Sequence, residues 1–430
     1  MSQTHPLPVD ADRLRADIEA NAEFGAVAYD DPEKRGRTAP TGSEANRKAR
    51  DHLVDRMEDA GLDVTIDGVG NIAGAWVPET ADASAAPVAT GSHLDSVPNG
   101  GIFDGPLGVY AGLETVRAMQ DAGVEPDRPV LVVSFTEEEG GTFGDGLLGS
   151  TVATGEMEVE EALMRRDPDG RTLREALAQT DYIGDGTLDP AGWNAFYELH
   201  IEQDTTLEEA GDDVGVVTTI TGITHCEVVI AGESNHAGAT PMNDRTDALA
   251  AASEFVLDVE RASNAVVDAS SPTAVGTVGS LSVSPNATNV VPGRVEAGVD
   301  IRDVEYESME TIVDAARDSL AELERERGVR TGMRRPFDVH PTRMSDRLRS
   351  AAHEAAAAAE LDAVDMPSGA AHDAMRVAQV TDAALLFAPS RDGISHNPLE
   401  WTDWEDCADA TRVLAGAVAA TAGVSGDGSE

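Results

Sequence analysis

The sequence predicts an α/β protein: a doubly wound domain interrupted by an inserted α+β domain of βαββαβ order. Three observations predict it. Short apolar runs alternate with segments whose apolar residues return at helical spacing, and that alternation covers a sheet with helices on both faces. Between about 214 and 331 the pattern changes to long strands around two helices. After 332 the first pattern returns. One domain is therefore expected from 1–213 with 332–430 and a second from 214–331, in a 430-residue chain that is 41% hydrophobic and long enough for two cores.

The elements follow in order. Helices are expected from about Asp10 to Phe24 and from Glu44 to Gly61, with the glycine supplying a stop. "PVATGSH" reads as a strand, Leu107 to Ala122 as a helix, "VLVVSF" (Val130 to Phe135) as a strand and "NAFYELHIE" as another. In the insert, "VGVVTTITGITHCEVVIAGE" is β-rich, Arg245 to Ala262 helical, "AVGTVGSLSVS" and "VEAGVDIR" strands, and Met309 to Arg327 helical. An Ala-rich helix over 346–361 and the strand "AALLFAPS" complete the first domain, and the terminal "GVSGDGSE" is expected to be disordered.

Charge narrows the partners. The chain carries 79 Asp and Glu against 31 Lys and Arg, a formal charge of -48, and Lys34 and Lys48 are its only lysines. Such a carboxylate coat repels itself unless counter-ions screen it, which at molar salt happens within about 3 Å. A salt-rich cytoplasm suits it; nucleic acid and anionic membranes do not. No apolar run is long enough to span a bilayer. "MSQTHPLPVDADRLRADIEA" lacks a basic start followed by an apolar core, so a cytoplasmic protein is expected. Cys226 and Cys407 lie far apart and fit buried thiols.

In an open α/β sheet the loops at the carboxyl ends of the strands are where ligands bind. Glu137, Glu138 and Glu139 of "FTEEEGGTF" sit at such an end. Other strand ends carry His93 and Asp95 in "GSHLDSV", His200 in "YELHIEQ" and His396 in "APSRDGISHNPLE", while Asp104 stands in the Gly-rich "NGGIFDGPLGV" just before a helix. Histidine with carboxylate is the ligand set that borderline-soft divalent metals prefer. His5, His52, His340 and His353 have no such setting. Strand parity in "VEAGVDIR" puts Val295, Ala297, Val299 and Ile301 on one face and Glu296, Asp300 and Arg302 on the other. Arg302 can pair with Asp300 or clamp a carboxylate in two-pronged fashion.

Taken together and in order, "GSHLDSV", "GGIFDGPLGV", "FTEEEG", "ELHIEQ", "NHAGATPM", "NVVPG", "DIR" and "GISHNPLE" resemble the dinuclear zinc amidohydrolases of the N-carbamoyl-L-amino acid hydrolase, allantoate amidohydrolase and β-ureidopropionase group, relatives of the aminoacylases and dipeptidases. The resemblance runs from about residue 20 to 420. It implies that His93 and His200 ligate one divalent ion, Glu139 and His396 another, and Asp104 both; zinc is expected, with manganese and cobalt as alternatives. Asp95 would accept from the His93 imidazole. Glu138 would be the general base, with Glu137 structural or dispensable. Arg302 would bind the substrate carboxylate, Gln203 and Asn289 its polar groups, and His236 the oxyanion; His372 is a further substrate contact, while His225 belongs to packing.

The reaction so implied is hydrolysis of the ureido C–N bond of an N-carbamoyl-L-amino acid to amino acid, ammonia and carbon dioxide. Allantoate amidohydrolase, β-ureidopropionase and deacylase or dipeptidase activities are the alternatives. The insert would be a lid and dimerisation domain of a homodimer whose "NHAGATPM" segment reaches the partner's site. The chain departs from the family pattern at Asp204, where glycine is usual, and at Gly141–Phe143, where Ser-Arg-Phe is common.

Overall fold

The computed structural model describes residues 6–144 and 146–423, so the C-terminal residues expected to be disordered, from 424 on, lie outside the described residues. The chain forms two compact units, one of residues up to Thr218 with Met344–Met366 and Ala371 onward, the other Thr219–Arg343 with Pro367–Ala370.

The first unit is built on a mixed sheet whose main strands run, in spatial order, Val214–Ile220, Ala383–Ala388, Ala195–Ile201, Val88–His93, Val130–Phe135, Ile72–Trp76 and Asp63–Ile66, with the short Thr342–Arg343 and Ala363–Ser368 pairing on Val214–Ile220. The four from Ala383–Ala388 to Val130–Phe135 are parallel, and the strands flanking them are antiparallel. The parallel core is what a doubly wound pattern requires; of the antiparallel pairs only Asp63–Ile66 with Ile72–Trp76 is a hairpin joined by a short connection. Every residue of Val88–His93, Ala195–Ile201 and Ala383–Ala388 is buried, including the polar Thr90, Ser92, His93, Glu198 and His200, and only Ala383–Ala388 is an unbroken apolar run.

Helix boundaries obey capping chemistry. Asp10 caps Ala11–Ala22 by accepting from the N–H groups of Asp12 and Arg13, and Ser43 caps Glu44–Asp59 by accepting from Asn46. Pro106 opens the helix Pro106–Ala122, which Gly123 closes at φ 63°. That helix packs on the three parallel strands Val88–His93, Val130–Phe135 and Ala195–Ile201, and Trp404–Ala422 packs on the helix. The Ala-rich helix spans Asp346–Ala358.

The second unit holds strands Gly222–Ala231, Val275–Ser284, Arg294–Asp303 and Arg330–Val339 with helices Ala248–Ala269 and Tyr306–Arg327, a βαββαβ order. Its antiparallel sheet runs Val275–Ser284, Arg294–Asp303, Gly222–Ala231, Arg330–Val339. Along Arg294–Asp303 burial alternates, with Val295, Ala297, Val299 and Ile301 buried against the two helices. The expected β-run from 214 divides at Thr221: Val214–Ile220 joins the first unit's sheet through Leu386 and Phe387, and Gly222–Ala231 starts the second. The expected edges at 214 and 331 thus fall on strands that continue to Ile220 and to Val339. The first helix of the insert runs to Ala269, beyond the expected Ala262, because Ser263 and Val266 still turn toward its core. Both cysteines are free and buried.

Candidate metal centre

Parallel pairing levels the strand ends. His93 lies beside Phe135, the residue before the Thr136–Glu139 turn, and His200 beside Phe387. Asp104 joins them because the following residue is a glycine at φ 82°, where a Cβ would sit 2.5 Å from the His93 ring.

Nε2 of His93 and Nε2 of His200 stand 3.5 and 3.2 Å from Asp104 Oδ1, while Nε2 of His396 stands 3.4 Å from Asp104 Oδ2 and 3.1 Å from Glu139 Oε2. Two sets of donor atoms, His93–Asp104–His200 and Asp104–Glu139–His396, each gather within 4.8 Å, and either could hold a metal ion. Asp104 belongs to both, one oxygen toward each. His93 Nε2 is buried with no hydrogen-bond partner, as a lone pair kept for a cation would be. His200 is equally buried, whereas His396 leaves the second set open to solvent.

The imidazoles are oriented from behind. Nδ1 of His93 lies 3.2 Å from the Asp95 carbonyl oxygen and Nδ1 of His200 3.0 Å from that of Ile201, so both rings can donate there and turn Nε2 inward. The expected role of the Asp95 carboxylate differs: it is 3.8 Å from His93 Nδ1 and instead accepts the backbone N–H groups of Glu138 and Glu139 at 3.3 and 3.2 Å. Glu137, at φ 57°, turns the chain so that these N–H groups face Asp95.

The electrostatics favour cations. Burial opposes charge on His93, but Glu138, Asp104 and Asp95 hold it well above the usual imidazole range. Hydrogen bonds to Asp104 and Glu139 push His396 up to about 11. Glu138 has Oε2 3.6 Å from His93 Nε2; burial pushes its carboxyl well up, and Asp373, Glu139 and Asp104 add to the rise against His93. A carboxyl so placed takes up a proton readily. His372 stacks edge-on to His200 at 4.6 Å, and burial keeps it well below the imidazole range, hence neutral.

Several residues have partners that their expected roles did not include. Glu137, expected to be structural or dispensable, is buried: its Oε1 accepts from the N–H groups of Thr142 and Phe143, and burial pushes it up to about 7. The Gly141–Phe143 departure therefore folds back onto Glu137. Gln203, expected at the substrate, donates from Nε2 to Asp104 Oδ2 at 2.9 Å and to Ser395 Oγ at 3.0 Å. Asp204 is exposed and accepts only from its neighbour Thr205 in the hydrogen bonds observed. Fully buried Arg37 donates to the carbonyls of Leu94 and Asp95, beneath the His93 loop.

The chain matches the model of the peptidase family M20/M25/M40 over residues 89–420. It belongs to that family. Among family relatives, an N-carbamoyl-L-amino acid amidohydrolase of Geobacillus stearothermophilus is 41% identical over 86% of this chain and 89% of its own. One of Paenarthrobacter aurescens is 37% identical over 94% of this chain and 96% of its own. The crystal structure of a hydantoinase/carbamoylase family amidase from Burkholderia multivorans superposes with a TM-score of 0.89 at 36% identity, covering 97% of this chain and 98% of that one.

The remaining family-implied positions lie in the second unit. His236 is exposed on the short strand Asn235–His236, which pairs with Val290–Val291 next to Asn289. Its Nδ1 accepts from the N–H groups of Gly238 and Ala239, which puts the ring proton on Nε2. Arg302 grips Asp300 through Nε and Nη2 at 2.9 and 3.1 Å, and His225 meets the same carboxylate at 3.0 Å while stacking on Phe337.

Proposed function

We propose that this chain hydrolyses the ureido C–N bond of N-carbamoyl-L-amino acids, releasing amino acid, ammonia and carbon dioxide. The carrying observation is one carboxylate, Asp104, shared by two His/carboxylate sets with Glu138 beside them. Two ions a few ångströms apart, about 3.5–4 Å in such sites, need a shared anion between them. His93 and His200 would hold one, Glu139 and His396 the other. Divalent ions there, zinc in our reading, would acidify a water and polarise the carbamoyl oxygen.

The chain's own groups do the rest. Glu138 takes a proton from the attacking water and returns it to the departing nitrogen, so one carboxylate serves as base and then acid. His236, its proton on Nε2, is a donor suited to the oxyanion that forms at the carbamoyl carbon. Arg302 exchanges Asp300 for the substrate carboxylate, a two-pronged match. Asn289 and His372 complete the substrate contacts, and Gln203 bears on the substrate by fixing Asp104. We read the second unit as a lid through which two chains pair, His236 serving the partner's site, and the acidic coat as an adaptation to a salt-rich cytoplasm.

The test is a substrate panel at high salt: N-carbamoyl amino acids, N-carbamoyl-β-alanine, allantoate, N-acetyl amino acids and dipeptides, with ammonia and amine followed together. Equal release of amino acid and ammonia from N-carbamoyl-L-amino acids, lost on chelation and restored by zinc, manganese or cobalt, is expected. Preference for allantoate, acetylated or dipeptide substrates would replace the reading. Refolding Glu138→Gln and His236→Ala chains together tests the pairing: about a quarter of wild-type activity returns if His236 acts across the dimer, and none if it acts within its own chain.

A further inference from the structure

We infer that Glu400 is a positioning residue that sets the rotation of the shared Asp104 carboxylate and so governs the site formed by Asp104, Glu139 and His396. The inference rests on the metal reading above. Glu400 is buried, and its Oε1 accepts the backbone N–H groups of Phe103 and Asp104 at 2.9 and 3.1 Å, across 296 residues of sequence from Asp104. Its Oε2 lies 3.2 Å from Ser395 Oγ, and that hydroxyl is 2.8 Å from Asp104 Oδ2. Glu400 thus holds Asp104 by its peptide N–H and lies against the Ser395 hydroxyl, whose one proton goes to the nearer acceptor, Asp104 Oδ2.

Two features direct this grip at one ion site. The oxygen held by Ser395 and by Gln203 is Oδ2, the one that faces His396; Oδ1 faces His93 and His200. Ser395 also immediately precedes His396, which stands at φ 53°, so the segment anchored on Glu400 is the one that presents that imidazole. Room for the carboxylate comes from Gly101, where a Cβ would lie 2.0 Å from Glu400 Cδ. Gly101 is not at a positive φ, so an alanine there is excluded by Glu400 and not by the backbone.

The experiment is calorimetric titration of metal-stripped full-length protein with zinc at high salt, alongside its thermal unfolding. Wild type should take two ions. Glu400→Ala should keep the first with little change and bind the second about 10–100-fold more weakly, the usual effect of removing a group that orients a ligand. Glu400→Gln, which still offers an oxygen to both N–H groups, should restore most of the second affinity. Gly101→Ala should weaken the second ion on its own and add little in the Glu400→Ala background, because both act through one carboxylate. Unchanged affinities in Glu400→Ala, or equal weakening of both ions, overturns the inference. If Glu400→Ala does not fold, the Gly101→Ala and Glu400→Gln titrations decide alone: a weakened second ion in the former and a preserved one in the latter support it, and any other pattern overturns it. A wild type that takes fewer than two ions overturns the metal reading itself.

Discussion

The two units present their chemistry in opposite ways. In the mixed-sheet unit His93, His200 and Asp104 are buried, and each has a neighbour behind it, Asp95 O, Ile201 O or Glu400, that leaves one choice of direction. In the βαββαβ unit His236 and Asn289 are exposed, and Arg302 is already paired with Asp300. Buried polar groups are costly unless satisfied, so the first set is fixed by the fold before any ligand arrives. The second set, on the proposed function, would be recruited by substrate, Arg302 by giving up Asp300 for the substrate carboxylate. On the proposed function, reaction chemistry would fall to the buried set and substrate discrimination to the exposed one.

That division can be broken most sharply at Glu138. Glu138→Gln keeps the shape and removes the proton acceptor, so turnover should fall by about two to four orders of magnitude with both ions retained. Turnover near wild type with unchanged metal content would take the base role away from Glu138. At Arg302 the effect should be smaller and selective. Arg302→Ala should cost about 2–4 kcal/mol in kcat/KM on substrates bearing a carboxylate and little on their amides. Equal losses on both would make Arg302 a structural partner of Asp300.

Glu137 tests whether the buried set extends beyond the reacting groups. Glu137→Ala leaves the N–H groups of Thr142 and Phe143 without their acceptor, at a cost of about 1–3 kcal/mol in urea unfolding. A stability change near zero would make Glu137 dispensable, the other of the two expectations for it.

The smallest effect belongs to the outer coat. Half-burial, with Asp403, Asp409, Asp213 and Glu405 nearby, pushes Asp406 up to about 6. Unfolded, the same carboxyl titrates near 3.9, so between about pH 4 and 6 the folded state holds a proton that the unfolded state has shed. Its charge therefore costs stability in full above pH 6, and stability recovers as pH falls through that window. Asp406→Asn should melt about 1–3 °C above wild type at pH 7.5 and low salt, with the gap closing at pH 5 and in molar salt. A gap independent of pH would assign the effect to packing.

Much of this was legible in the residues. Apolar spacing located the helices now seen at Ala11–Ala22, Glu44–Asp59, Pro106–Ala122 and Tyr306–Arg327 to within a few residues. The histidines and carboxylates at strand ends pointed to one edge of the sheet because parallel strands must level their ends. What stayed hidden depends on tertiary contact. Nothing local ties Glu400 to Asp104 or makes Gly101 its complement. Glu137 and Glu138 are neighbours of one residue type, and only the left-handed turn at Glu137 sends one to the loop and the other toward His93. Asp95 illustrates the same limit: a spacing of two from His93 suggests a side-chain contact, yet its carbonyl meets the ring and its carboxylate holds the glutamate turn.

The central claim is that one carboxylate serves two ions, and counting ions tests it most directly. Elemental analysis after saturation with zinc and removal of free metal should give two per chain in wild type. Asp104→Ala should hold close to none, although His93 with His200 and Glu139 with His396 remain, since each pair alone falls short of the three protein ligands usual for such a site. One ion per wild-type chain, or two retained by Asp104→Ala, would contradict it.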